Sequence, residues 1–304
     1  MPAKKKTNKK PDRAGKFALR IAAVLLLALM VVMGAGAVNA VFVRVRRAEV
    51  ALADLPAAFD GVTLLYASDI DLCGLNTPRR AAGLFAQLQS LKPDMLVLGG
   101  DYTSSSVFER LNQGSAEPVN ASENTARAAF FQGLSSFEAP LGKYALRTEA
   151  DGSAAALKAE LAKAGIQPIF DASAAVRRKG SVLYLAGFSG EPAAIARAAA
   201  LAEKGECVIA VTASPAQLPQ LMINEAAGGG SWCDMVLSGG THAGQIRLGK
   251  STLLSLNGIE RNYLYGWRVE NGIPLLTTSG VGCEGLNVRL GTSPEVWLIT
   301  LRRK

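Results

Sequence analysis

Short apolar runs alternate with Ala- and Leu-rich segments of helical spacing through most of the chain. The apolar, β-branched runs predict six strands, at residues 62–68, 95–99, 143–147, 182–187, 208–212 and 235–238. Helical patterns lie between several of them, at residues 79–91, 125–137, 154–164 and 193–204. This alternation indicates an α/β domain with a largely parallel sheet.

The last sixty residues have a different pattern. Gly-punctuated strands are predicted at residues 245–248, 274–278 and 295–301, with no helical segment between them, so antiparallel pairing is expected there. Two polar stretches, residues 103–124 and 225–231, are predicted to be loops.

The longest apolar stretch lies near the N-terminus. Residues 21–42 contain no charge and only Asn39 as a polar side chain; a helix of this length spans roughly 33 Å, enough to cross a bilayer. Eight basic residues precede it and three follow closely, so the positive-inside rule places the N-terminus in the cytoplasm. The prediction is a basic cytoplasmic tail (1–20), a single-pass cell-membrane anchor (21–43) and an extracytoplasmic domain (48–304).

A cleaved signal peptide is the alternative, because Val38-Asn39-Ala40 is an acceptable cleavage site. The apolar run is longer than the 7 to 15 residues usual in a signal peptide, which favours an uncleaved anchor. Both alternatives place the domain outside the cytoplasm.

The charge distribution supports a membrane-proximal tail. The chain has 33 basic and 25 acidic residues, a net charge of +8, but residues 1–47 contain 11 of the basic residues and one acid. The remainder is therefore slightly acidic, at −2, which argues against a nucleic-acid partner. One histidine in the whole chain excludes any site that needs several imidazoles, and four cysteines are too few for a disulfide scaffold of this length.

Polar motifs stand where the predicted strands end, which is where α/β sheets place their chemistry. They are Ser68-Asp69-Ile70-Asp71, Gly99-Gly100-Asp101, Arg147-Thr148-Glu149-Ala150-Asp151, Ala213-Ser214-Pro215 and Ser238-Gly239-Gly240-Thr241-His242.

With these motifs, the chain resembles the calcineurin-like metallophosphoesterases, in particular the membrane-anchored bacterial branch related to UDP-diacylglucosamine pyrophosphatases. The most specific segments are residues 92–101 and 237–245, and the match runs from about Leu55 to Val296. The resemblance implies a metallo-dependent phosphatase-like four-layer sandwich, two mixed sheets flanked by helices, after one N-terminal transmembrane helix.

The resemblance also implies a metal site that has lost several ligands. The first of the family's two metals would be held by Asp69, Asp71, Asp101 and His242. The second would be held by Asp101, Glu149, Ala213 and Gly240, of which the last two offer no side-chain donor. We therefore expect one divalent cation, Mn²⁺ or Mg²⁺, and no tightly held second one, with Glu149 as a possible remnant of the second site.

No catalytic residue is predicted, because Ala150 stands where the family has its catalytic histidine. Restoring the family's site would take five substitutions together: Asp71→His, Glu149→Asn, Ala150→His, Ala213→His and Gly240→His.

Each candidate ligand also has a simpler interpretation. Asp69 and Asp101 could cap loops, and Asp71 could be a solvated acid. His242 could be a remnant held by hydrogen bonds, and Glu149 a leftover in a broken loop. If the three aspartates are neighbours, they would raise one another's pKa, so a cation or the nearby Arg147 is expected to neutralise them.

Two functions follow. One is a catalytically impaired pseudoenzyme that binds a phosphorylated or lipid-linked ligand, or a protein partner, near the membrane. The other is an active single-metal phosphoesterase or pyrophosphatase.

The resemblance places the strands that begin near Cys207 and Cys233 side by side. A disulfide between these two residues is therefore expected to be geometrically feasible, with two buried thiols as the alternative. Cys73 and Cys283, in loops that the family folds over the site, form a weaker candidate pair.

Overall fold

The computed structural model describes residues 13–105, 121–249, 251–252 and 256–304. The described chain begins with one long helix, α1 (Arg13–Val41). Its segment Gly15–Val41 is long and apolar enough to span a membrane and is almost entirely exposed. Most of the loop predicted at residues 103–124 lies outside the described residues.

The first sheet has six strands in the order β1-β14-β2-β3-β4-β5. Strands β2 to β5 are parallel to one another, β14 is antiparallel to β2, and β1 is parallel to β14. The bounds are β1 (Arg44–Leu52), β2 (Thr63–Ala67), β3 (Met95–Leu98), β4 (Lys143–Ala145), β5 (Gln167–Pro168) and β14 (Glu295–Arg303).

The second sheet also has six strands, in the order β12-β13-β9-β8-β7-β6. Its four central strands are parallel and both edge strands are antiparallel to their neighbours. The bounds are β6 (Ala172–Arg178), β7 (Ser181–Phe188), β8 (Val208–Thr212), β9 (Met235–Ser238), β12 (Gly266–Glu270) and β13 (Ile273–Thr277). Two further strands, β10 (Arg247–Leu248) and β11 (Ser251–Thr252), form a small hairpin.

The sheets stack face to face and helices cover their outer faces. The helices are α2 (Pro78–Leu88), α3 (Ala121–Gly133), α4 (Ala154–Lys163), α5 (Pro192–Leu201), α6 (Leu218–Ile223) and α7 (Gly258–Asn262). One apolar core lies between the sheets, a second lies beneath α2 to α4, and a third lies beneath α5 and α6. This arrangement confirms the predicted α/β class with two mixed sheets flanked by helices.

The central strands lie within a residue or two of their predicted positions because they are buried on both faces and read as continuous apolar runs. The edge strands β1, β5, β6 and β12 were not predicted. Most of β1 is exposed and carries Arg44, Arg46, Arg47 and Glu49, a composition that has no strand signal. The first strand thus begins at Arg44, four residues before residue 48, where the domain was predicted to start.

The C-terminal turn of α1 packs against the loop before β14. The Asn39 side chain donates to the carbonyl oxygens of Arg289 (3.0 Å) and Thr292 (2.6 Å), and its own oxygen accepts from Ser293 (3.2 Å). Gly36 permits this contact, because a Cβ there would lie 2.6 Å from the Val288 side chain. The helix is therefore joined to the domain by side-chain contacts as well as by the chain itself.

All four cysteines are buried thiols, so neither candidate disulfide is present. Strands β8 and β9 do lie side by side, in the register that pairs Ile209 with Met235. However, Cys207 packs in the core between the sheets, whereas Cys233 precedes β9 and packs in the outer core with Trp232. The two sulfur atoms point to opposite faces of the sheet.

This packing predicts four alkylatable thiols in the full chain, even when it is recovered from an oxidising compartment. The test is to unfold the protein in a non-reducing buffer, alkylate it and count the adducts by mass spectrometry. A peptide linked through Cys207 and Cys233 would contradict the opposed orientation of these side chains.

Candidate functional site

The predicted site residues lie at the carboxyl ends of strands from both sheets. Asp69 and Asp71 follow β2, Asp101 follows β3, and His242 follows β9. Ligand atoms of Asp69, Asp101 and His242 all lie within 4.8 Å of one another. Asp71 adjoins this group, with its Oδ2 3.6 Å from His242 Nδ1. The fold thus brings together the four residues predicted for the first metal.

All four residues have a left-handed backbone, with φ of 50° at Asp69, 46° at Asp71, 59° at Asp101 and 49° at His242. Such a backbone is unfavourable for residues other than glycine and tends to cluster at functional sites. Neighbouring loops hold it in place. Asp69 N donates to Gly100 O (3.0 Å), and Asp71 N donates to Asp101 O (3.1 Å).

Asp69 is held by both of its carboxylate oxygens. The Ser68 hydroxyl donates to Oδ2 (2.9 Å), and the Gly240 N–H donates to Oδ1 (2.9 Å), which ties β2 to β9. Two further glycines leave room for the carboxylate, since a Cβ on Gly239 or Gly280 would lie within 2.8 Å of its Oδ2. Burial raises the pKa of Asp69 to about 6, although these hydrogen bonds act in the opposite direction.

Asp71 and His242 carry polar atoms with no partner. Both are buried, and within the part of the chain that the structure describes neither carboxylate oxygen of Asp71 nor His242 Nδ1 has a hydrogen-bond partner. Burial, and then the charge of Asp69, raise the pKa of Asp71 well above its ordinary value. Burial, and then the charge of Arg289, lower the pKa of His242 to about 3, so the imidazole is neutral and able to act as a ligand.

Asp101 is half-buried, and its pKa is raised well above the ordinary value by desolvation and then by the charges of Asp71 and Asp151. The carboxyl groups of Asp69, Asp71 and Asp101 therefore lie close together where they are largely desolvated. Three carboxylates and a neutral imidazole form a ligand set suited to one hard divalent cation, and two members of the set, Asp71 and His242, have buried polar atoms without a hydrogen-bond partner among the described residues. The residues present fit one metal.

Among the described residues, Arg289 places a positive charge near Asp69 and Asp71. This side chain is fully buried and donates to the carbonyl oxygens of Gly282 (3.0 Å) and His242 (3.3 Å). Its charge favours ionised Asp69 and Asp71. Arg147, the alternative to a cation, donates from its guanidinium to the carbonyl oxygens of Gly152 (2.8 Å) and Thr148 (3.4 Å).

Asp151 is a site residue that the sequence interpretation missed. It is buried and accepts hydrogen bonds from the N–H groups of Asp101 (3.0 Å), Tyr102 (2.7 Å) and Thr148 (2.8 Å). It therefore fixes the backbone that presents Asp101. The available signal was the capping-box spacing of Thr148 and Asp151, which the structure forms.

The residues predicted for a second metal are arranged differently. Glu149 is exposed on a short 3₁₀ turn and is not among the three ligand groups within 4.8 Å. Gly240 has a φ of +84°, and a Cβ on it would lie 2.6 Å from the carbonyl oxygen of Ala213. The substitution Gly240→His, part of the five-residue restoration, therefore collides with backbone before it can offer a ligand.

Comparison with known proteins adds little beyond these observations. No family model matches the sequence, and no curated protein matches it. Among solved structures, phosphopantetheinyl hydrolase (PptH) from Mycobacterium tuberculosis is distantly similar. The TM-score is 0.36 at 9% sequence identity, covering 73% of this chain and 91% of that chain. At this level the likeness supports no conclusion about function.

Replacing Asp151 with Asn tests its positioning role. Asn has one acceptor oxygen where Asp151 uses two, and it turns an amide N–H₂ toward backbone donors, so we expect a cost of about 2 kcal/mol or more. For a domain of this size that lowers Tm by roughly 4–8 °C, and Mn²⁺ affinity falls as well.

The matched control is Asp171→Asn, which affects one accepted hydrogen bond, from Ser189 N–H, at the second sheet. It should lower Tm less and leave Mn²⁺ affinity unchanged. Equal effects of the two variants on Mn²⁺ affinity would contradict the role of Asp151.

The close approach of Gly240 to Ala213 predicts that Gly240→Ala destabilises the protein by about 2 kcal/mol or more. Gly205→Ala is the control, because Gly205 has nearly the same φ (+87°) but nothing within 4 Å of its Cβ position. It should cost about 1 kcal/mol from backbone strain alone. Thermal unfolding of both variants measures the difference, and equal losses would refute the collision.

Proposed function

We propose that this chain is a membrane-anchored, extracytoplasmic member of the calcineurin-like metallophosphoesterase superfamily, in the branch related to UDP-diacylglucosamine pyrophosphatases. It holds one divalent cation and acts as a catalytically impaired pseudoenzyme that binds a phosphorylated or lipid-linked ligand, or a protein partner. The observation that supports this most directly is the asymmetry of the candidate metal site. Donor atoms of Asp69, Asp101 and His242 converge on one side, whereas Ala213 and Gly240 offer none on the other.

The cation would be held by Asp69, Asp101 and His242, with Asp71 assisting. When bound, it would act as a Lewis acid toward a phosphate oxygen. Two-metal phosphoester hydrolysis needs a second ion to clamp the other reacting oxygen, and the residues on that side support none. Ala150, which stands where the resemblance places the catalytic histidine, has no side chain that can donate a proton, and it is exposed on the 3₁₀ turn. This residue set favours binding of a phosphate over its hydrolysis.

The attachment of α1 supports a retained anchor over a cleaved signal peptide. Cleavage after Ala40 would remove Asn39, whose amide holds the loop at residues 289–293. The cleavage motif also lies within the helix, not in an extended segment. In this proposal residues 1–20 are cytoplasmic, the apolar helix crosses the cell membrane, and the domain from Arg44 onward is outside. The charge of the domain offers no support for a nucleic-acid partner.

The alternative is an active single-metal phosphoesterase or pyrophosphatase. The observation in its favour is that Asp71, buried with both oxygens unpartnered beside His242, could complete a four-residue ligand set for one cation. A strongly polarising single ion could then support slow hydrolysis of a phosphate ester that has a good leaving group.

The proposal predicts at most one Mn²⁺ per chain. The full chain, purified in a neutral detergent, is loaded with Mn²⁺, dialysed and analysed for metal content. Asp101→Asn should abolish Mn²⁺ retention, because it removes the charge of one ligand, whereas Glu149→Gln should leave Mn²⁺ retention unchanged. Two equivalents in the parent protein, or loss of metal in Glu149→Gln, would overturn the one-metal assignment.

Turnover separates the two functions. The Mn²⁺-loaded chain is assayed with an aryl phosphodiester such as bis(p-nitrophenyl) phosphate. The pseudoenzyme proposal predicts rates several orders of magnitude below the roughly 1–10³ s⁻¹ of ordinary enzymes. Turnover within that range, lost in Asp101→Asn, would establish the single-metal hydrolase instead.

A further inference from the structure

A polar cavity lies where the anchor helix meets the domain. Its volume is about 320 Å³, at the lower end of the range for small-molecule sites. Its lining includes Asn39 from the last turn of α1, Arg44 and Arg46 from β1, Arg247 from β10, and Tyr265. The loop at residues 291–293 forms another wall and is held by Asn39 through the hydrogen bonds described above. We call this space the juxtamembrane cavity.

The cavity carries excess positive charge. Of its three arginines, Arg46 is paired with Glu295, at 3.3 Å between Nε and Oε2. Glu295 is itself buried and also accepts hydrogen bonds from the Tyr265 hydroxyl (2.8 Å) and from Trp297 Nε1 (2.7 Å), so both of its carboxylate oxygens already have partners. Within the described part of the chain, neither Arg44 nor Arg247 has a carboxylate within ion-pair distance.

Two guanidinium groups without a carboxylate, in a cavity with hydroxyl and amide groups, are suited to a phosphate. A guanidinium binds phosphate oxygens through paired N–H donors, with more geometric selectivity than a lysine offers. Arg247 is only half exposed, so its charge is less screened by solvent than that of a surface residue.

The position of the cavity along the helix indicates where the phosphate comes from. The uncharged residues 21–42 span roughly 33 Å of helix, slightly more than the hydrocarbon core of a bilayer, which is about 30 Å thick. The helix therefore spans the core and ends at the edge of the headgroup layer. Asn39, in its last turn, and the cavity beside it then lie at the boundary between the core and the lipid phosphates.

We propose that the juxtamembrane cavity binds the phosphate group of an anionic membrane lipid, with Arg44 and Arg247 as its principal donors. The proposal rests on the membrane anchor of the proposed function but is independent of the metal site. A bound headgroup would hold the domain against the membrane surface and fix the distance between the membrane and the candidate metal site.

A competing explanation is diffuse attraction between the basic segment and an anionic surface, to which each nearby arginine contributes similarly. Arg47 separates the two. It is exposed, lies next to Arg46 on β1 and carries the same charge, but it does not line the cavity. A built site depends on Arg44 and Arg247, whereas diffuse attraction depends equally on Arg47.

The test uses the full chain in neutral detergent micelles, titrated with phosphatidic acid, with phosphatidylcholine or with soluble glycerol 3-phosphate. Lipid binding is followed by native mass spectrometry. We expect saturable binding of phosphatidic acid, weakened about tenfold or more by Arg44→Gln and by Arg247→Gln. Arg47→Gln should change it by less than about twofold, and Arg44→Lys should fall between.

Unchanged Tm of each variant without lipid shows that folding is intact. Equal losses in Arg44→Gln and Arg47→Gln would overturn the built site, and so would absence of phosphatidic acid binding. Binding of glycerol 3-phosphate as tight as that of phosphatidic acid would overturn the lipid assignment. Intact mass of the membrane-extracted protein separately reveals a cleaved helix, and Mn²⁺ content separately tests the metal site, so failure of either is distinguishable.

Discussion

Burial of carboxylates at the end of β2 is the constraint on which the rest of the site depends. A buried carboxylate is costly unless it is paired, hydrogen-bonded or neutralised. Asp69 meets this requirement through Ser68 and Gly240, and Arg289 adds a buried positive charge nearby. The adjacent glycines then follow, because any side chain at Gly239 or Gly280 would occupy the space of the Asp69 carboxylate. Among the described residues, Asp71 has no hydrogen-bond partner for either oxygen although it is buried, which is why one further cation fits.

The two parts of the candidate metal site have unequal chemistry. In one part, carboxylates and a neutral imidazole lie close together, and hydrogen bonds between loops hold their left-handed backbone. In the other part, the Gly240 N–H donates to Asp69, and the Ala213 carbonyl oxygen lies so close to Gly240 that no side chain fits there. The positions that the resemblance assigns to a second metal thus lie in a packed backbone arrangement, and single substitutions to ligand residues would lack the space they need.

The sequence predicted the central strands because buried apolar runs are a local signal. The four candidate ligands followed from the family resemblance, which rests on short motifs directly after those strands. The sequence did not predict Arg289 or Asp151, whose roles depend on contacts between residues far apart in the chain. The exposed edge strand β1 lacked an apolar pattern and was also missed. The pair Cys207 and Cys233 shows the same dependence on distant contacts. Their strands are neighbours, as predicted, but Cys233 turns to the opposite face of the sheet before its strand begins.

The one-metal site is tested most directly by locating the metal itself. Crystals of the full chain grown with Mn²⁺ would be measured at the manganese absorption edge. We predict one anomalous peak per chain, bounded by Asp69, Asp101 and His242 with Asp71 beside it. Two peaks about 3.5–4 Å apart, the spacing of two-metal hydrolases, or a single peak held by Glu149 would contradict it.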